Sequence, residues 1–273
     1  MTDPKDQFRQ AMAAAGLQLP SEIIDDGVIH RFSSGSKPHR KNGWYVLYND
    51  EVSAGAFGDW SQGFTQSWFY KTSTVMTDAE RITHLERVER IRRQREKLIE
   101  RRQQYVADQA IRRWNAATSC ERHKYLTCKG IQPHGIKLES ADLLIPLRDS
   151  AGKVHSLQTI APDGSKRFMP GGRVKGCYYA IGKPQGVLIV CEGFATGASI
   201  FECTGHAVAV AFNAGNLEAV AVALRRKYPD YKIVVAADDD DQTPGNPGLS
   251  KAKLAVSAAS AVLAAPAVKR LAA

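Results

Sequence analysis

With 273 residues, 44% of them apolar, the chain can bury a core in one large domain or two small ones without covalent staples. Its five cysteines, Cys120, Cys128, Cys177, Cys191 and Cys203, include no Cys-x-x-Cys pair, which argues against a disulfide framework and for reduced thiols in a cytoplasm. Thirty-seven Lys and Arg against 28 Asp and Glu give a net charge of +9, an excess that favours a polyanion, nucleic acid or anionic membrane surface. No apolar run approaches the roughly 20 residues that span a bilayer, so a soluble, cytoplasmic protein with no membrane segment is expected.

Residues 1–75 open with a short amphipathic segment, 7–17, and then turn glycine-rich and aromatic. Alternation at Trp44, Val46 and Tyr48 predicts a strand, and the region reads as a small β-rich module. Its aromatic residues Trp44, Tyr45, Tyr48, Phe57 and Trp60 read first as core. Interleaved with Lys37, His39, Arg40 and Lys41, they have stacking on single-stranded bases as the alternative.

Residues 76–118 predict one long helix, since no Gly or Pro falls between Thr77 and Ala117 and Thr77 with Glu80 forms a capping-box pattern. Arginines crowd its first half, and Glu86, Glu89, Glu96 and Glu100 can pair with them at helical spacing. A solvated connector laced with ion pairs is the simpler reading, a nucleic-acid contact the other.

In residues 119–185 the strand-like runs 143–147 and 154–160 flank the turn Asp149-Ser150-Ala151-Gly152, a spacing that predicts an antiparallel hairpin. Over 186–273 apolar strands at 187–191, 207–212 and 232–237 alternate with helical segments at 195–202, 217–228 and 250–263. The fold class is therefore α/β, with a mostly parallel sheet flanked by helices at the C-terminal end.

Open parallel sheets place their sites at the carboxyl ends of strands. Glu192 follows one such strand and Asp238-Asp239-Asp240-Asp241 follows another, with Asp238 and Asp240 on one side by alternation. Clustered carboxylates with no His or Cys among them suit a hard cation, Mg²⁺ or Mn²⁺, whereas a solvated acidic turn is the bland alternative.

Cys191-Glu192-Gly193-Phe194-Ala195-Thr196-Gly197 at one strand end, with Ala237-Asp238-Asp239-Asp240 at a later one, resembles the Toprim domain of bacterial-type primases, topoisomerases and some nucleases. Leu144-Ile145-Pro146-Leu147-Arg148-Asp149, Gly164-Ser165-Lys166-Arg167-Phe168 and Val174-Lys175-Gly176-Cys177-Tyr178-Tyr179 are similar to the basic subdomain ahead of the Toprim fold in bacterial-type primases. Tyr125-Leu126-Thr127-Cys128-Lys129-Gly130-Ile131, Phe212-Asn213-Ala214-Gly215-Asn216-Leu217 and Asn246-Pro247-Gly248-Leu249-Ser250-Lys251-Ala252 look like the primases of conjugative plasmids, integrating elements and satellite phages.

This resemblance implies a DNA primase-like nucleotidyltransferase that makes short primers on a single-stranded DNA template from NTPs. Asp238 and Asp240 are then the main metal ligands, Glu192 a ligand or general base, and Asp239 an auxiliary ligand or a solvated residue. Lys166, Arg167, Arg173 and Lys175 become candidates for holding triphosphate and template, with an ordinary basic surface as the alternative. A replicative helicase or other plasmid or phage replication protein is the implied partner.

Two departures from the replicative primases stand out. Residues 1–75 contain no cysteine, so no zinc ribbon is expected there, and Cys120-His123-Cys128 offers too few ligands for a zinc site. No Gly-x-x-x-x-Gly-Lys run occurs, so no helicase motor is expected in these residues. The competing functions are a Toprim metal-dependent nuclease and a non-catalytic single-stranded DNA-binding replication module.

Overall fold

In a computed structural model of the chain, residues 3–35, 41–49, 53–61, 63–70, 78–238 and 246–265 are described. The chain divides into two compact units, Met1–Glu86 and Arg87–Ala273.

The first unit begins with α1 (Pro4–Ala14), started by Pro4 and by the Asp3 carboxylate, which accepts from the Lys5 amide at 3.1 Å. β1 (His30–Phe32), β2 (Gly43–Tyr48), β3 (Ala54–Asp59) and β4 (Phe64–Phe69) follow as an antiparallel meander in that order. Phe8 and Met12, one helical turn apart, are fully buried, and the Phe8 ring meets Tyr45, Phe57 and Trp68 edge-on at 6.1, 5.6 and 5.2 Å. Gly55 lies under that ring, where a Cβ would come within 2.7 Å of it. Tyr45 and Phe57 are thus core, as first read. Trp44 alternates to the other side of β2 and stacks on Trp60 instead.

The helix α2 (Asp78–Ala116) runs as one piece, although the capping residue Thr77 lies outside the described residues. Glu89 accepts from both Arg92 and Arg93 at 2.9 Å, the expected helical pairing. Its last turns do more than connect: Val106, Ala107 and Ala110 are buried, with Ala110 in one cluster with Leu144, Val154 and Leu157, and Arg113 pairs with Glu139. Small residues at one face let the helix lie close on a sheet.

That sheet is antiparallel, β5 (Thr118–Ser119), β6 (Lys137–Glu139), β7 (Asp142–Arg148), β8 (Val154–Ile160) and β9 (Lys166–Phe168) in order, with α3 (Lys124–Lys129) between the first two strands. The predicted hairpin is β7 and β8, its turn fastened by Asp149 Oδ1, which accepts from the Ala151 and Lys153 amides at 3.0 Å each.

β10 (Tyr179–Ile181) then opens a second sheet with β11 (Val187–Cys191), β12 (Ala207–Val210), β13 (Lys232–Ala236) and β14 (Val262–Ala264), in the order β10-β12-β11-β13-β14. Only β10 is antiparallel. α4 (Phe194–Thr204) shares a core with Cys191, Val208, Val210 and the antiparallel sheet, whereas α5 (Leu217–Lys227) and α6 (Pro247–Ala259) cover Val190, Ala209 and Val235 on the opposite face. The predicted α/β architecture, a mostly parallel helix-flanked sheet behind a basic α+β subdomain, a long helix and a small β-rich module, is the one observed.

One boundary is corrected. The segment predicted as a helix over 250–263 is helical only to Ala259, because Ser260 turns left-handed at φ 48° and the chain returns as β14 along β13. Val262 favours a strand, and pairing at an open sheet edge outweighs the helical preference of the alanines around it.

Candidate functional site

β11 and β13 are adjacent and parallel, with Val190 level with Val235. Glu192 and Asp238 therefore emerge side by side at the carboxyl edge of the sheet, both half-buried. Their nearness registers on Cys191: burial pushes its thiol up strongly, and the negative charges of Asp238 and Glu192 push it further. Its Sγ lies 3.6 Å from the Gly193 carbonyl oxygen.

The helix that follows Glu192 is pulled tightly onto the sheet. A Cβ on Gly197 would stand 2.7 Å from Val210 and 3.0 Å from Cys191, so glycine is required for α4 to approach the strand that carries Glu192.

Asp239 and Asp240 lie outside the described residues. Among the described residues no group of three His, Cys, Asp or Glu is placed to hold a metal ion. Two carboxylates on one edge nevertheless fit a small hard cation, since Mg²⁺ is commonly held by one or two carboxylates with water and substrate phosphate completing its shell.

The basic hairpin reaches this edge through an aromatic contact. Phe212 follows β12 with a left-handed φ of 72°, next to Ala211, whose amide donates to the Cys191 carbonyl at 2.8 Å. The Phe212 ring meets Phe168 of β9 edge-on at 6.1 Å, which ties the strand of exposed Lys166 and Arg167 to the carboxyl end of β12, the neighbour of β11.

The four basic candidates do not share one cavity. Lys166 lines an open cavity of about 470 Å³ with Lys124, Tyr125, Cys128 and Lys129, its Nζ 5.9 Å from the Tyr125 ring centre. Arg173 and Lys175 line another, of about 440 Å³, with Asp149 and Arg226. Sequence reading did not single out Lys124 or Arg226. Lys129 stood inside a quoted motif without a role, and Arg226 had no local signal.

Asn216 was also passed over as a site residue. Buried at the start of α5, it donates from Nδ2 to the Cys177 and Ala211 carbonyls at 2.9 Å each and accepts from the Gly176 amide at 2.7 Å. One side chain thus ties the loop after Arg173 and Lys175 to the end of β12.

In the Cys120-His123-Cys128 run the histidine has a local structural role. His123 caps α3 through Nδ1, which accepts from the Tyr125 amide at 3.2 Å, while Nε2 lies 2.9 Å from the Ala141 carbonyl oxygen, so both ring nitrogens are engaged. All five cysteines are free thiols, and among the described residues no helix is long and apolar enough to cross a membrane.

Residues 187–270 match the Toprim domain family, and this part of the chain is a Toprim domain. As a class such domains bind divalent metal ions. Over 93% of its length the chain is 34% identical to each of two Escherichia coli proteins named DNA primase TraC, of which it spans 26% and 19%. The resemblance to a Toprim-type primase is thereby borne out. A weaker likeness, TM-score 0.40 at 14% identity over 56% of this chain and 71% of the other, links it to the primase fragment of the bacteriophage T7 primase-helicase protein.

Proposed function

We propose that this chain is a primase catalytic core, joining NTPs into short primers on single-stranded DNA. The observation that carries the reading is the meeting of Glu192 and Asp238 at one sheet edge, with the Lys166–Phe168 strand joined through Phe212 to the carboxyl end of the neighbouring β12. Phosphoryl transfer needs negative charge neutralised on the phosphates and a proton removed from the attacking hydroxyl. A bound Mg²⁺ or Mn²⁺ supplies the first by polarising phosphate oxygen and helps the second by acidifying the hydroxyl.

In this reading Asp238 and Asp240 hold the cation, with Asp239 auxiliary, and Glu192 either shares it or accepts the hydroxyl proton. Lys166 and Arg167 grip the triphosphate, and Arg173 and Lys175, on a separate cavity, hold template backbone. Gly197 and Asn216 keep the strand ends in place. The reading includes a cytoplasmic setting and a replicative helicase or other plasmid or phage replication protein as partner.

Primer synthesis on single-stranded templates with labelled NTPs and Mg²⁺ or Mn²⁺ tests it. Product from the wild-type chain, and a roughly 10²–10⁴-fold loss in Glu192→Gln and Asp238→Ala, are expected. Product unchanged in both variants overturns the site assignment. Nicking of DNA without NTPs identifies a nuclease instead.

A further inference from the structure

The first unit carries an aromatic cluster that neither its core nor the acidic edge uses. Trp60 leaves β3 half exposed, at 51%, anchored by its amide to the Asn42 carbonyl at 3.1 Å. Its ring stacks on Trp44 at 5.8 Å between centroids and 21° between planes. The Arg31 guanidinium sits 4.8 Å from the Trp60 centroid, steered by a 2.9 Å bond to the Lys41 carbonyl.

Gly58 allows this arrangement. It stands opposite Trp44 in the sheet, and a Cβ there would come 3.0 Å from Trp44 Nε1 and 2.1 Å from the Phe64 carbonyl oxygen. The backbone after Trp60 is held as well: Asp59 accepts from the Ser61 amide at 2.7 Å and also takes the Ser34 hydroxyl. That buried carboxylate is engaged by the turn, and the charge left at this end of the sheet is positive. Arg31 and Lys41 are exposed, and the sequence from Gly27 to Asn49 contains no Asp or Glu.

A half-exposed indole, stacked on a second and with a guanidinium against it and an exposed lysine bonded to that guanidinium through its carbonyl, matches what unpaired bases require: a flat π surface for the base and positive charge for its phosphate. Duplex DNA offers no free base face to such a surface. We propose that Arg31, Lys41, Trp44 and Trp60 form a stacking platform for unpaired bases of single-stranded DNA. The proposal takes its choice of DNA from the primase reading and otherwise stands on this cluster. Of the five aromatic residues that invited a stacking reading in the sequence, it keeps Trp44 and Trp60, releases Tyr45 and Phe57 to the core and makes no use of Tyr48.

The test is fluorescence anisotropy of a labelled oligodeoxythymidylate with the full chain in EDTA, which separates binding from metal-dependent synthesis. Trp60→Ala is expected to bind roughly 5- to 100-fold more weakly, with most of the affinity restored in Trp60→Phe, which keeps an aromatic face. Affinity unchanged in Trp60→Ala, or lost equally in both variants, overturns the platform. Circular dichroism of each variant shows whether the unit has folded, and Arg31→Ala, with both indoles intact, is expected to bind more weakly and to lower the salt-dependence slope by about one unit. Primers made by a wild-type chain whose binding ignores Trp60 leave the primase reading standing without the platform. Binding that depends on Trp60 with no primer under either metal leaves the platform without the primase.

Discussion

The two sheets of the second unit present opposite charges, and they do so by different means. The acidic edge depends on register: Glu192 and Asp238 are distant in sequence and meet only because β11 and β13 pair in parallel. The basic strand β9 depends on little more than exposure, for Lys166 and Arg167 sit next to each other on a hairpin whose long side chains reach solvent wherever it ends. Carboxylates that share a cation must be held close, whereas cations that follow a phosphate chain can be spread. The acidic side should therefore be sensitive to packing changes that touch no charge, and the basic side to charge changes that disturb no packing.

Gly197→Ala challenges the acidic side most severely. The added methyl meets Val210 and Cys191, so α4 must lift from the strand that carries Glu192, and a loss of about 3 kcal/mol in urea unfolding is expected together with weaker primer synthesis. Next comes Asn216→Ala, which leaves the Gly176 amide and two carbonyls without their bonds. A destabilisation of about 2 kcal/mol is expected by the same measurement.

On the basic side, Lys166→Ala with Arg167→Ala should leave the unfolding midpoint unchanged while weakening template or nucleotide binding and lowering its salt dependence by about one to two units of slope in a log–log titration. A shifted midpoint would mean that β9 is held by its cations after all.

The smallest effect concerns Glu139, where the Arg113 guanidinium holds the carboxyl below its ordinary value of 4.5. A carboxylate depressed by folding contributes stability that is complete above the unfolded value and lost as pH falls through the lower folded one. Below about pH 4.5 the wild type should therefore lose its advantage over Glu139→Gln, an advantage under about 1 kcal/mol because both partners are a third exposed. Unfolding curves of the two chains across that window would show it.

Much of the second unit is legible in its sequence. The strands and helices of 187–237 fall within a residue or two of their predicted places, because apolar runs buried on both faces leave a strong pattern. Ser260 defeated the reading of 250–263, since its left-handed turn has no sequence signature as clear as glycine. In the first unit alternation found β2 but did not say which of its aromatic residues α1 would cover.

The sequence alone determined which chemistry was on offer: carboxylates at strand ends in a Toprim-like spacing, and cations in a glycine-bounded segment ahead of them. Only the tertiary structure decided the company each residue keeps. Parallel pairing of β11 with β13 brought Glu192 to Asp238, the Phe168–Phe212 contact joined β9 to the end of β12, and α1 took Tyr45 and Phe57 while Trp44 found Trp60. Local pattern fixes which face a side chain takes, but partners distant in sequence are chosen by the packing of whole elements, which no short motif encodes.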